Sequence, residues 1–127
     1  MNADAEAMCF VATARPGEAL AFYRDVLNLE LVEDSPFALV FRTGGRSLRV
    51  QKAREPIAPA PTTVLGWKVA DIRAEIAELT AKGIAFTRFD GLPQDEDGVW
   101  TSPPGHKIAW FRDPDGNNLS LTEFNGS

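Results

Sequence analysis

Few side chains in this sequence have the type and spacing for catalysis. His106 is its single histidine, so any general acid–base chemistry by imidazole rests on that residue, which follows Gly105 in a turn-rich stretch. A lone loop histidine is more often solvated than catalytic. One histidine with no nucleophile-elbow motif also defeats a Ser–His–Asp assignment. Cys9 is the single cysteine. It lies between Met8 and Phe10-Val11 and is read as a small buried hydrophobe rather than a nucleophile. With no second cysteine there is no intrachain disulfide, in keeping with a reducing cytoplasm. Asp95, Glu96 and Asp97 are adjacent acids without the spacing of a Ca²⁺ loop and are expected to be a solvated charge run. Gly44-Gly45 is a hairpin turn, not a phosphate loop.

Other chemistry classes are excluded by composition. The chain has 127 residues, 44% hydrophobic and 24% charged, with a formal charge of −5. That is the make-up of a globular chain with room for one core. The acidic balance and the lack of a basic run argue against nucleic acid as a partner. No apolar stretch reaches the length of a membrane span, so no membrane partner is expected. The first residues carry acids and no basic n-region, so they do not read as a secretory signal. The expected compartment is the cytoplasm.

The elements that would position a site are legible from periodicity. Cys9–Thr13 predicts a buried strand. Arg15-Pro16-Gly17 opens a helix, with Leu20, Tyr23 and Leu27 on one face and Asn28 ending it. Leu29–Glu33, Phe37–Arg42 and Ser47–Lys52 predict strands, and in the last of these Leu48 and Val50 alternate with Arg49 and Gln51. Residues 53–63 hold Pro56, Pro59 and Pro61 and predict a stiff linker. The pattern then restarts. Val64–Val69 predicts a strand, and Asp71 caps a helix carrying Ile72, Ile76 and Leu79 that stops at Gly83. Ile84–Phe89, a short stretch at Val99–Thr101, Lys107–Arg112 and Asn118–Phe124 predict the remaining strands. The offset that places Met8 on Val64 also places Leu20 on Ile76 and Tyr23 on Leu79. Shared element order and shared turns point to an internal duplication.

Two segments carry a family resemblance. Ala19-Leu20-Ala21-Phe22-Tyr23-Arg24-Asp25-Val26-Leu27 resembles the first helix of vicinal oxygen chelate proteins, the group of glyoxalases, bleomycin-resistance proteins and extradiol dioxygenases. Asp113-Pro114-Asp115-Gly116-Asn117, preceded by Phe111, resembles the turn before their last strand. The resemblance spans roughly residues 8–124. It implies an α+β fold of two tandem βαβββ modules in a single domain, module one at 8–52, the linker at 53–63 and module two at 64–124. The sheets would curl into a half-barrel with a concave ligand cleft, and the protein would be a homodimer.

Metal-dependent members place a His at the start of a module's first strand and a Glu in its last. The resemblance puts Met8 and Val64 in the first-strand positions and Arg49 and Ser120 in the last-strand positions. None is a usual ligand for a hard or borderline cation. The expectation is therefore no metal and no cofactor. Alternation sorts Met8, Phe10, Val64, Lys68, Arg49, Gln51 and Ser120 to the cavity, with Trp100 as a lid over a ligand or a plug in the core. Trp110 is a candidate whose face alternation does not decide, since both faces of its strand are apolar. Arg49 is the sharpest feature, a guanidinium able to hold a carboxylate, phosphate or enolate oxygen. Its structural alternative is pairing with a neighbouring acid or snorkelling to solvent.

The expected function is metal-independent binding of an aromatic or anionic small molecule. The alternative is a lyase or isomerase, either metal-independent with Arg49 stabilising an oxyanion or metal-dependent through ligands elsewhere. A fold kept for interaction alone is the remaining option, disfavoured by the polar handles. Substrate and catalytic residues are not assigned.

Overall fold

The computed structural model describes residues 1–126. The chain divides into two compact units, Met1–Ala58 and Pro59–Ser127, each built on a four-stranded sheet. No helix among the described residues is long and apolar enough to cross a membrane.

The first unit runs β1 (Cys9–Thr13), α1 (Pro16–Leu20), β2 (Glu30–Asp34), β3 (Ala38–Thr43) and β4 (Arg46–Lys52). Its strand order is β1-β4-β3-β2, with β1 parallel to β4 and the other pairs antiparallel. Pro16 opens α1 at a position where a missing N–H costs nothing. Ala21–Val26 then continues it as a π-helix, in which the Leu27 N–H reaches back to the Phe22 carbonyl. This wider turn changes the buried face. The regular spacing Leu20, Tyr23, Leu27 predicts one stripe, but Ala19, Phe22 and Tyr23 are the buried residues and Leu20 and Leu27 are only partly covered. The extra residue in the turn brings neighbours Phe22 and Tyr23 inward together, ring edge to ring face at 5.0 Å. Asn28 takes φ 61° and ends the element. Tyr23 packs against Phe41 of β3 at 5.8 Å, over Leu39, Leu48 and Val50, all essentially inaccessible. Gly44 and Gly45, both at positive φ, join β3 to β4 in the tight hairpin that their sequence predicts.

The second unit runs β5 (Leu65–Lys68), α2 (Ile72–Ala81), β6 (Trp100–Thr101), β7 (Lys107–Arg112) and β8 (Asn118–Glu123), in the order β5-β8-β7-β6. Here β5 is parallel to β8. Asp71 caps α2 by accepting from the Ala74 N–H. Ile72, Ile76 and Leu79 bury the helix face. On the sheet side Phe111 stacks on Trp67 at 6.5 Å and meets Phe86 at 5.6 Å.

The expected strand at Ile84–Phe89 does not form. Its Thr87 N–H donates to the Trp110 carbonyl, but a side chain takes the other ladder groups. Gln94 Oε1 accepts from the Phe89 N–H, and its Nε2 donates to the carbonyls of Thr87 and Gly98. The fourth strand of this sheet is the short β6 instead.

Candidate functional site

Cross-strand partners share a face, so the registers fix which side chains lie together. In the first unit Phe10 pairs with Arg49 and Arg49 with Val40. Gln51 pairs with Ala12 and Ala38. Val11, Thr13, Leu48 and Val50 point to the helix side and are buried. The face turned away from the helix thus carries Phe10, Arg49 and Gln51, with Met8 ahead of β1. Met8 and Phe10 are each 49% exposed, a high value for large apolar side chains.

Arg49 is half-buried in the middle of this face. Most arginines of the chain have a partner: Arg42 with Glu30, Arg46 with Glu6 and Arg73 with Asp95 and Asp97 are examples. Among the described residues Arg49 makes no hydrogen bond and no ion pair, a property it shares only with Arg54 in the exposed connection. The structural alternative in which Arg49 pairs with an acid is therefore not what forms.

In the second unit Gly66 pairs with Ser120 and Ser120 with Trp110. The register thus decides the face of both aromatic residues of β7. Trp110 lies with Ser120, away from the helix, and Phe111 lies with Leu119 on the helix side. Gly66 and Ser120 approach closely: a Cβ at Gly66 would sit 2.6 Å from Ser120 Oγ, so the hydroxyl would have to turn aside. Ser120 is 7% exposed. Lys68 pairs with Thr122 on the same face, and its ammonium lies 5.9 Å from the centre of the Phe124 ring. Val64 is 42% exposed, and its N–H donates to the Asn118 carbonyl.

Trp100 does not plug the core. It is half-buried in β6, paired with Ile108, and its ring centre is 6.4 Å from that of Trp110. Phe89 meets Trp110 edge-on at 5.3 Å. These rings, with Leu92, Asn118 and residues 61–63, line a depression of about 440 Å³. Trp110 Nε1 donates to Thr63 Oγ1 at 3.0 Å, which fixes the indole against the connection. Phe89, Leu92, Thr63 and Asn118 were not predicted as site residues. The apolar run at Ile84–Phe89 was the available signal for Phe89, and nothing in the local pattern marks the others.

The remaining candidates have structural partners. His106 Nδ1 accepts from the Asn125 N–H at 3.0 Å, and its ring packs edge-on against Phe124. That bond places the proton of the neutral ring on Nε2. The acidic stretch is not a purely solvated run, because Asp95 and Asp97 both bind Arg73 of α2, at 2.7 and 2.8 Å. The hydrogen bond from Arg73, assisted by the Val99 and Asp97 N–H groups, holds the Asp95 carboxyl below the usual carboxylate range. Arg88 ties the same stretch down through the carbonyls of Asp95 and Glu96.

Asp113 organises the turn that leads into β8. Its Oδ1 accepts from the N–H groups of Asp115 and Asn117, and its Oδ2 from Asn117 Nδ2. Among the described residues no three His, Cys, Asp or Glu side chains gather as metal ligands.

This architecture has many relatives of known structure. A lactoylglutathione lyase from Agrobacterium tumefaciens is 20% identical, with a TM-score of 0.75, covering 96% of this chain and 95% of its own. A glyoxalase family protein from Enterococcus faecalis is 23% identical, with a TM-score of 0.75, over 97% of this chain and 100% of its own. A glyoxalase/bleomycin resistance protein/dioxygenase from Alicyclobacillus acidocaldarius is 20% identical, with a TM-score of 0.68, over 97% and 93%. At these identities the likeness establishes the fold. Among curated protein sequences there is no match. The family model of the Glyoxalase/Bleomycin resistance protein/Dioxygenase superfamily matches residues 7–121. With the sheet topology and both motifs in place, the chain belongs to that superfamily.

Proposed function

We propose that this chain is a metal-independent small-molecule-binding protein of the glyoxalase/bleomycin-resistance type, taking an aromatic or anionic ligand with Arg49 as its anion handle. The observation that carries the proposal is the unpaired, half-buried guanidinium of Arg49 between Phe10 and Val40. A cation held in a strand without an acid partner is available to a ligand carboxylate or phosphate oxygen, and exposed Phe10 offers an apolar surface beside it.

The donor set does not suit a metal ion. At the positions where the resemblance places ligands, the first unit offers the thioether of Met8 and the positive charge of Arg49, and the second offers no donor at Val64 and a neutral hydroxyl at Ser120. Neither pair gives a hard or borderline cation the charge or the ligand count it needs. The lyase or isomerase alternative has no comparable support, since Nδ1 of the one imidazole accepts from the Asn125 N–H and a neutral ring then has no second nitrogen to act as a base.

Calorimetric titration of chelator-treated protein tests this. Benzoate is expected to bind, and Arg49→Ala to weaken it about 10- to 100-fold, the value of one charge-assisted contact. Thermal stability should barely change, since no ion pair is lost. Unchanged benzoate affinity in Arg49→Ala would remove the anion handle. Tight stoichiometric binding of Zn²⁺, Ni²⁺, Fe²⁺ or Mn²⁺ would overturn metal independence.

A further inference from the structure

A β-bulge decides what stands across the sheet from Arg49. On β2, Glu30 pairs with Arg42 and Leu31 with Phe41, but the next pair is Glu33 with Val40. Val32 is the extra residue. Strict alternation from Glu30 would send Glu33 to the helix side of the sheet. The extra residue shifts the count by one and turns Glu33 to the opposite face. Two ion pairs fix the faces independently. Arg42, opposite Ser47 and so on the face of Arg49, meets Glu30 at 2.9 Å. Asp34 meets Lys52, the neighbour of buried Thr13, at 2.7 Å. Asp34 is therefore on the helix side, and Glu33 lies with Val40 and Arg49 on the other.

Two adjacent rows of that face then differ. In one, Ser47, Arg42 and Glu30 follow each other across β4, β3 and β2, and the charges, on adjacent strands, close on each other. In the next row the order is Arg49, Val40, Glu33. Val40 stands between the charges and sets their Cα atoms about 10 Å apart, two interstrand spacings. Among the described residues the Glu33 side chain, like that of Arg49, makes no hydrogen bond and no ion pair. Glu33 is exposed, and Phe10 continues the row beyond Arg49. Val40 and the 51% exposed Val32 also line, with Met8, an open depression of about 360 Å³, which leaves room for a ligand beside the row.

An open pair of this kind selects by charge. A monoanion on Arg49 leaves Glu33 unmet. A dianion there carries its second charge toward Glu33 and is repelled. A ligand with one charge of each sign answers both groups. We infer that the Arg49 site is built for zwitterionic ligands, with a carboxylate on Arg49, an ammonium on Glu33 and an apolar spacer such as a benzene ring across Val40. Glu33 is the residue that sets this specificity. The inference rests on the reading of Arg49 as an anion handle and adds the second pole.

The test is calorimetric titration at low ionic strength, where exposed charges are least screened. The probes are para-(aminomethyl)benzoate, para-toluate, which has the same shape without the ammonium, and the dianion terephthalate. Wild-type protein is expected to bind para-(aminomethyl)benzoate about threefold more tightly than para-toluate, the ratio one exposed ion pair supplies, and terephthalate more weakly than either. Glu33→Gln, at an exposed position with no ion pair to lose, should bind para-toluate at least as well as wild type. It should erase the preference for the ammonium and tighten terephthalate. Glu33→Lys should invert the order and make terephthalate the tightest of the three. Equal wild-type affinity for para-(aminomethyl)benzoate and para-toluate would overturn the inference. A preference that persists in Glu33→Gln, or wild-type protein favouring terephthalate over para-toluate, would overturn it as well. In each of those cases benzoate binding that is lost in Arg49→Ala would leave the anion handle standing. Failure of wild-type protein to bind benzoate or para-toluate would remove the handle, and the second pole with it.

Discussion

Removing the Asp113 carboxylate should be among the most damaging single changes available in the second unit. The side chain is 5% exposed, and the hydrogen bonds it accepts include three at 3.0, 2.9 and 2.8 Å. Asp113→Ala removes one acceptor from each of the Asp115 and Asn117 N–H groups and from the Asn117 amide, and Asn117 is itself only 6% exposed. Bonds to a charged acceptor contribute ~1.5–3 kcal/mol each, but the three share one turn and one carboxylate, so a total near ~3–4 kcal/mol is expected. Asp113→Asn separates the contributions. Its remaining oxygen can still serve the two main-chain donors, while its NH₂ group faces the NH₂ of Asn117, a donor against a donor. About 1–2 kcal/mol should be lost. Exchanging the pair, Asp113→Asn with Asn117→Asp, restores a donor opposite an acceptor and should recover about 1 kcal/mol of that loss. Urea denaturation of the four proteins gives the cycle. If Asp113→Asn matches the wild-type protein, or if the exchanged pair is no better than the sum of its single changes, the carboxylate is not what holds this turn.

Two further outcomes follow from the ion pairs and caps. Asp95 has a lowered folded-state pKa, owing first to its hydrogen bond from Arg73. Its contribution is therefore present above the unfolded value near ~3.9 and is lost as pH falls through the folded value. Both partners are about two-fifths exposed, which limits the effect to below about 1 kcal/mol. The stability gap between wild type and Arg73→Gln, measured by denaturant titration, should close below about pH 4; a gap unchanged at pH 3 would contradict this account. Asp71→Ala removes the acceptor for the Ala74 N–H and should lower stability by about 1 kcal/mol. Asp71→Ser should recover most of it in thermal unfolding, and equal losses in the two variants would show that the cap contributes little.

What could be read from the sequence was whatever local alternation or turn chemistry determines. The span of β7 is the one predicted, and Leu48-Arg49-Val50-Gln51 sorts in and out as its period requires. Asp71, Gly44-Gly45 and Asn28 act where their types place them. Long-range partners were not legible. Ile84–Phe89 is apolar enough for a strand, but the Gln94 amide takes its ladder groups. The π-helical turn moved the buried face of α1, a change no regular period encodes. Trp110 lies in a strand apolar on both faces, so only its pairing with Ser120 assigns it. The acids at 95–97 looked solvated because their cation, Arg73, comes from another element. The absence of an acid beside Arg49 exists only once the chain is folded.

In each sheet the unit's first and last strands pair in parallel, with Cys9 beside Leu48 in one unit and Leu65 beside Leu119 in the other. That arrangement dictates an order of assembly. On a ribosome the hairpin β3–β4 can zip as it emerges, but β1, made first, has no partner until β4 is complete, and β5 waits longer still for β8. A strand whose edge stays open through synthesis is exposed to wrong pairings, and a long loop must be closed before any of its contacts form. Folding should therefore be limited by the docking of β1 and of β5 rather than by the hairpins. The second unit, with the longer closure, should be the slower of the two to form.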